Sequence, residues 1–173
     1  MEYSYLSKAA NGKAKKLSFV LFSIGLLIFA AAVSFSLPYE GTLQGISLLL
    51  FSFSVLLLIR FVLKSFLLSV FKTDNGSFDF TVTEKYGKTS TTICRISLSN
   101  IETVVIRSKE NEKALRAKAK GRRIFSYCPD ISTERECWLF VTECDEPLLI
   151  KLSPDDTLLE ILVNAAQKNN SND

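Results

Sequence analysis

Two long apolar runs, separated by only five residues, constrain the fold of this chain more than any other feature. The first run, 17–37, has 21 residues without a charge, and the second, 43–59, has 17. A helix rises about 1.5 Å per residue, so a bilayer core of about 30 Å needs about 20 apolar residues. Residues 61–63 extend the second run to that length if the Arg60 guanidinium reaches the head groups. The sequence therefore predicts a membrane-spanning helical hairpin.

Basic residues flank both outer ends of this hairpin, whereas the connecting loop carries only Glu40. Lysine and arginine accumulate on the cytoplasmic side of membrane proteins. The sequence therefore predicts a multi-pass protein of the cell membrane with both termini in the cytoplasm. The basic residues in question are Lys8, Lys13, Lys15 and Lys16 before the first run, and Arg60, Lys64 and Lys72 after the second.

An alternative interpretation of the first run is a secretory signal peptide. The alanines 30–32 resemble a small-residue cleavage site after an apolar core. The apolar character nevertheless continues to Leu37, which favours a span. Either interpretation leaves the second span with its basic flank, so both place the remainder of the chain in the cytoplasm.

The chain divides at the composition changes into four predicted parts. Residues 1–16 form a basic cytoplasmic N-terminus, 17–71 the two-helix hairpin, 72–168 a β domain with a C-terminal helix, and 169–173 a disordered tail. Residues 1–71 carry six Lys/Arg against two Glu, and residues 72–173 carry fifteen against sixteen Asp/Glu. Positive charge is thus concentrated beside the predicted membrane.

After residue 71 the apolar pattern changes to a period of two, which is typical of strands. A helix follows, with Ser153 as the predicted N-cap and Pro154 as its first residue. Leucines 158, 159 and 162 lie on one face of that helix, so it should cover an end of the sheet. The six predicted strands are 78–84, 91–98, 101–107, 123–128, 137–142 and 148–152.

Three segments, 96–104, 125–129 and 148–159, resemble the bacterial pleckstrin-homology-like (PH-like) domains that follow a two-span hairpin in small membrane proteins. The resemblance implies a curved antiparallel sheet or partly open barrel closed by a C-terminal α-helix. It also implies a membrane-held binding or scaffolding module rather than an enzyme. The family pattern has seven strands, so either a seventh lies within 107–122 or the domain is trimmed.

The residues give little support for chemistry. The chain has no histidine, which excludes histidine-based triads and the common histidine metal sites. Cysteines 94, 128, 137 and 144 match no zinc spacing and are expected to be small, buried and reduced. Asp130, Glu134 and Glu136 are expected to form a solvated acidic face, and Trp138 to pack in a core. We therefore expect no catalytic residue, no metal and no cofactor.

A basic run with no acidic residue is the one candidate binding feature. Charge runs are usually solvated, but lipid phosphates near a membrane would attract this one. Nucleic acid is disfavoured because the domain is acidic overall and the run contains no aromatic residue. The expected partners are the bilayer and a protein, either another chain or a second copy. The candidate anionic-lipid residues are Lys113, Arg116, Lys118, Lys120, Arg122 and Arg123.

Overall fold

The computed structural model describes residues 2–7, 12–34, 39–131, 133 and 135–171. Helix α1 spans Lys13–Ser34, and α2 spans Glu40–Leu58 and continues as a π-helical segment, Ile59–Leu63. Both are long and apolar enough to cross a membrane, with mean hydropathies of 2.4 and 2.5. Only 17% and 11% of their most apolar windows are buried, so most apolar side chains on these helices face outward.

The two helices pack against each other through small residues. The Ser18 hydroxyl donates to the Ser54 carbonyl at 3.0 Å, and the Ser54 hydroxyl donates to the Ser18 carbonyl at 2.9 Å. A side chain at Gly25 would begin 3.3 Å from Leu50, so glycine permits the close approach there. Small residues at these positions therefore allow the two helices to pack closely.

The strands of a four-stranded antiparallel sheet, sheet A, come from both sides of the hairpin in the chain: one precedes α1 and three follow α2. Its strands are β1 (Tyr3–Ser7), β2 (Lys64–Lys72), β3 (Phe78–Tyr86) and β4 (Thr89–Ser97), in that spatial order. The strand before α1 thus pairs with the strand that directly follows α2.

A second sheet, sheet B, contains four strands: β5 (Ile101–Ile106), β6 (Arg123–Ser126), β7 (Cys137–Glu143) and β8 (Glu146–Leu152). Their spatial order is β5-β7-β8-β6. Strands β6 and β8 are parallel, and the other pairs are antiparallel. The short helix α3 (Glu112–Lys118) lies between β5 and β6 in the chain, and α4 (Asp156–Asn170) follows β8.

The alternation of side chains along β7 places apolar residues in two cores. Leu139 and Val141 join a large core with sheet A and the α4 leucines, whereas Trp138 and Phe140 join a smaller core beneath α3. Strand β7 is therefore covered on both faces. The large core includes Phe66, Leu68, Val70, Phe80, Val82, Ile96, Ile150, Leu158 and Leu162.

The observed sheets differ from the predicted antiparallel sheet or barrel. The predicted strands correspond to β3–β8, but the described strands form two sheets that do not close into a barrel, and β6 is parallel to β8. Residues 107–122 contain helix α3 rather than a seventh strand. Two parallel strands need a crossover connection between them, and β7 with its flanking loops forms that connection between β6 and β8.

The β domain also begins earlier than the predicted boundary at residue 72. Residues 64–71, predicted as the end of the hairpin, belong to β2, and residues 3–7, predicted as part of a basic flank, form β1. Phe66, Leu68 and Val70 are almost fully buried in the large core. A fragment beginning at residue 72 would lose these side chains and half of sheet A.

Helix α4 begins and ends at positions that differ from the prediction. Asp155, rather than Ser153, is the N-cap, and its carboxylate accepts the Leu158 N–H at 3.1 Å. The helix continues through Asn169, predicted as part of a disordered tail, because the Asn169 amide donates to the Leu98 and Ile101 carbonyls. Residues 172–173 lie outside the described residues, as do Lys8 and residues 35–38, which include the predicted end of the first apolar run.

Candidate functional site

Helix α3 and the turn after it distribute the predicted lipid-binding residues over several directions. Arg116 on α3 and Lys120 in the turn after it line the same cavity. Lys113 is exposed, and Arg123 begins β6 with its guanidinium 5.3 Å from the Phe125 ring centroid. The six residues therefore do not form one continuous surface.

Lys118 on α3 and Arg122 in the turn after it bind within the domain. The Lys118 ammonium donates to the Thr103 hydroxyl at 3.0 Å, and Arg122 pairs with Glu102 at 2.9 Å. Both cations lie over the Phe140 ring, at 4.6 and 5.3 Å. Burial is the largest single influence on Glu102 and raises its pKa, but the hydrogen bonds from Arg122 and Thr142 and the positive charges of Arg122 and Lys118 together outweigh it, so the pKa of Glu102 is lowered. These two basic residues stabilise the fold.

A groove with basic walls runs along the outer face of sheet B, from α3 to the end of α2. It consists of two adjoining cavities of about 440 and 310 Å³ that share Arg107, Ile124 and Lys151. We call this feature the basic groove. Its other lining residues include Arg116, Lys120, Glu112 and Trp138 at the α3 end, and Arg60, Phe61, Ile131, Asp130 and Glu136 at the hairpin end.

Glu136 organises the centre of the basic groove. Its carboxylate accepts hydrogen bonds from Arg107 at 2.6 Å and from the Trp138 indole at 2.8 Å. The Lys151 ammonium lies 3.8 Å from the same carboxylate and 4.2 Å from the Trp138 ring centroid. The bonds to Glu136 and then Glu112 raise the pKa of Arg107. Arg107, Lys151 and Trp138 are thus held in a fixed arrangement before any ligand binds.

The basic groove carries an excess of positive charge. Five cationic side chains line it against three carboxylates, which leaves two positive charges uncompensated. An arrangement of arginine and lysine at the edge of a groove binds anions, and guanidinium groups match phosphate geometry particularly well. The cations are Arg60, Arg107, Arg116, Lys120 and Lys151, and the carboxylates are Glu112, Asp130 and Glu136.

The sequence contained only part of the signal for this groove. Arg116 and Lys120 belong to the predicted basic run, but Arg107 and Lys151 are single basic residues at the end of one strand and within another. Lys151 alternates with the buried Ile150 and Leu152, which places it on the opposite face. Trp138 is 4% exposed, as predicted for a core residue, yet it also lines the groove.

Asp130 joins the β domain to the first apolar helix. Its two carboxylate oxygens accept the backbone N–H groups of Lys13 and Ala14, both at 2.8 Å. Asp130 is 4% exposed, so the prediction of a solvated acidic face is wrong for this residue. Buried negative charge is stabilised here because the first N–H groups of a helix lack intrahelical partners and form its positive end. Glu134 lies outside the described residues.

The end of α2 makes a second connection to the same part of the domain. The Arg60 guanidinium donates to the Ser126 carbonyl at 2.9 Å. Ser126 is the last residue of β6, four positions before Asp130. Both ends of the helical hairpin are therefore bonded to residues 126–130, at and just after the end of β6.

The cysteines are free, and three of them are wholly or partly buried, as predicted, whereas Cys144 is exposed. Burial raises the pKa of Cys128 to about 11 and that of Cys137 to about 12, and it also raises the pKa of Cys94. These three thiols stay protonated at neutral pH, a form that is a poor nucleophile and metal ligand. The described part of the chain contains no group of three His, Cys, Asp or Glu placed to hold a metal.

Fold and site together define a protein with two apolar helices long enough to span a membrane, a two-sheet β domain and a C-terminal helix. No family model matches the chain, and neither a curated protein nor a solved structure matches it.

Proposed function

We propose that this chain is an integral membrane protein whose cytoplasmic PH-like domain is a binding or scaffolding module without catalytic activity. The hairpin spans the bilayer, and both termini lie in the cytoplasm. The two-sheet core and the C-terminal helix support a PH-like interpretation. The parallel β6 and the early β1 are departures from the simple pattern of seven antiparallel strands.

The double junction between the helices and the β domain is the observation that carries this proposal. Strand β1 precedes α1, β2 directly follows the α2 segment, and Asp130 caps α1. A flexible linker would let the domain tumble, whereas this junction fixes its orientation. A fixed orientation suits a module that presents one face to the membrane and another to a partner.

The outer edge of β4 is the surface best suited to a protein partner. It is an edge of sheet A, nine residues long, and Thr89–Ile93 are all exposed. The residues 89–93 contain neither charge nor proline, the features with which proteins protect free edges. An extended segment of a partner, or of a second copy, would add to this edge by backbone hydrogen bonding.

The membrane topology has a direct test in cysteine accessibility. The four native cysteines are first replaced, with Cys128 and Cys137 changed to Ala or Val to respect their burial. A cysteine at Glu40 should then react with an impermeant reagent outside intact cells, and one at Asn170 should react only after lysis. The positive-inside distribution of charge is the physical reason. The reverse pattern, or reaction at both positions in intact cells, would contradict the proposed topology.

Partner binding at β4 has a test in photo-crosslinking of the full chain in its native membrane. A photoreactive phenylalanine at Ile93, which is 39% exposed, should yield one adduct of defined mass. The same group at the exposed Glu160 of α4 is the matched control. Thr91→Lys should remove the Ile93 adduct because a charged edge disfavours strand addition, and Thr91→Ser should preserve it. Absence of an adduct at Ile93, or identical adducts at both sites, would contradict docking at this edge.

A further inference from the structure

We propose that the basic groove binds the head group of an anionic phospholipid from the leaflet against which the β domain lies. This inference rests on the proposed membrane insertion and names a ligand for the module. It also replaces the contiguous run 113–123 as the lipid site. Only Arg116 and Lys120 of that run line the groove, and its other cations lie just after β5, on β8 and in the segment that continues α2.

Position favours a membrane ligand. Arg60 and Phe61 line the groove and belong to the Ile59–Leu63 segment, which continues the apolar helix α2 without a break. The groove therefore opens beside the point where the chain leaves the apolar layer. A head group at the bilayer surface would reach it without leaving its leaflet.

Exposed apolar side chains at the same end match the amphipathic character of a lipid. Ile124 is 53% exposed and Ile131 is 50% exposed, and both line the groove beside Phe61. A small anion such as free phosphate makes no use of these residues. A phospholipid places its glycerol and upper acyl carbons there while its phosphate faces the basic residues.

Two cations at the centre of the groove are held in place before a phosphate binds. Arg107 is held by Glu112 and Glu136, and Lys151 lies over the Trp138 ring. Fixing these side chains in advance reduces the entropy lost on binding. The net positive charge of the lining supplies the attraction, which should weaken as salt concentration rises.

Trp138 supplies a specific readout because it is the only tryptophan in the chain and it lines the groove. The full chain in neutral detergent is titrated with short-chain phosphatidylglycerol while tryptophan fluorescence is recorded. We expect a saturable spectral change with phosphatidylglycerol. Phosphatidylcholine, which carries the same phosphate with a compensating cation, should cause little change.

The double variant Arg107→Gln/Lys151→Gln should shift the titration midpoint to roughly thirty-fold higher lipid, since each basic residue near an anionic surface contributes about 1 kcal/mol. The matched control is Lys85→Gln/Lys88→Gln, which removes the same charge from the end of sheet A next to the start of β2. These lysines do not line the described basic groove, so their midpoint should stay within about twofold of the wild type.

A second variant guards against a loss of binding caused by misfolding. Lys120→Gln leaves the bonds to Glu136 intact and should still weaken binding several-fold. Equal losses in the groove and control pairs would show a diffuse surface attraction and overturn the proposal, as would unchanged midpoints in the groove variants.

Soluble anions decide the source of the phosphate. Inorganic phosphate and glycerol 3-phosphate should compete only at concentrations far above that of the lipid. If either binds as tightly as phosphatidylglycerol, the ligand is a soluble phosphate and the lipid assignment fails. Extraction of native membranes with alkaline carbonate separates this outcome from failure of the proposed function. A chain that stays in the pellet but does not discriminate lipids refutes only the groove, whereas a chain that is released refutes membrane anchoring.

Discussion

Replacing Leu162 with aspartate should unfold the β domain. Leu162 and Leu158 of α4 are fully buried in the large core between the two sheets. Removing a buried leucine typically costs about 2–5 kcal/mol, and burying a carboxylate adds a further penalty. Together these approach the roughly 5–15 kcal/mol that stabilises a small domain. Near-ultraviolet circular dichroism and protease resistance of the full chain in detergent should both be lost.

Three milder changes in α4 complete this prediction. Leu162→Ala should lower the melting temperature without abolishing folding. Glu160→Ala, on the exposed face of the same helix, should leave it almost unchanged. Leu159, which the sequence pattern places on the same apolar face, is only half-buried, so Leu159→Ala should cost less than Leu162→Ala. A Leu162→Asp variant that melts like the wild type would show that α4 does not close the core.

Replacing Asp130 with alanine should detach the start of α1 from the β domain. The change leaves the N–H groups of Lys13 and Ala14 without their acceptor, and Ala14 is 2% exposed. Each buried donor without a partner costs about 1–3 kcal/mol, and loss of the charge at the helix N-terminus costs up to about 2 kcal/mol more. Hydrogen exchange of the full chain should accelerate most in residues 12–16, while the protection of α4 should persist.

The control for the contact between Asp130 and α1 removes a carboxylate from another site. Asp74→Ala lies in the exposed turn between β2 and β3 and should alter neither exchange nor melting temperature. Asp130→Asn keeps one carbonyl acceptor and should give an intermediate effect. If residues 12–16 exchange equally fast in Asp130→Ala and in the wild type, Asp130 does not hold the start of α1.

The sequence predicts most of the strands because each has local evidence. Strand β3 alternates apolar and polar residues, whereas β7 is a short apolar run, and both patterns are bounded by turns, so the approximate positions of such strands follow from local sequence. Strand β2 lacked this signal, since apolar residues, Leu67 and Phe71, occupy two of the positions that alternate with the buried Phe66, Leu68 and Val70. It therefore resembles a continuation of the apolar helix. Strand β1 is only five residues long and pairs with a strand more than fifty residues away.

The basic groove was less accessible to sequence reasoning because its residues come together only through strand pairing. Arg107 follows β5, Lys151 lies on β8, and Arg60 lies at the end of α2. The register between β7 and β8 places Trp138 beside Lys151, and no local sequence pattern specifies that register. The run 113–123 was conspicuous in the sequence, but it is divided between helix α3, the turn after it and the start of β6, so its members point in different directions.

The pairing of β1 with β2 has a consequence for how the protein is made in the cell. Strand β1 leaves the ribosome before either apolar helix, whereas its partner emerges only after both. In the proposed topology, the pair forms after the chain has crossed the bilayer twice and returned to its starting side. Insertion of both helices would then bring the two strands close together, which lowers the entropic cost of closing this long connection. Under that topology the completion of sheet A depends on the insertion of both helices, and a chain with one failed span leaves β2 without its β1 partner.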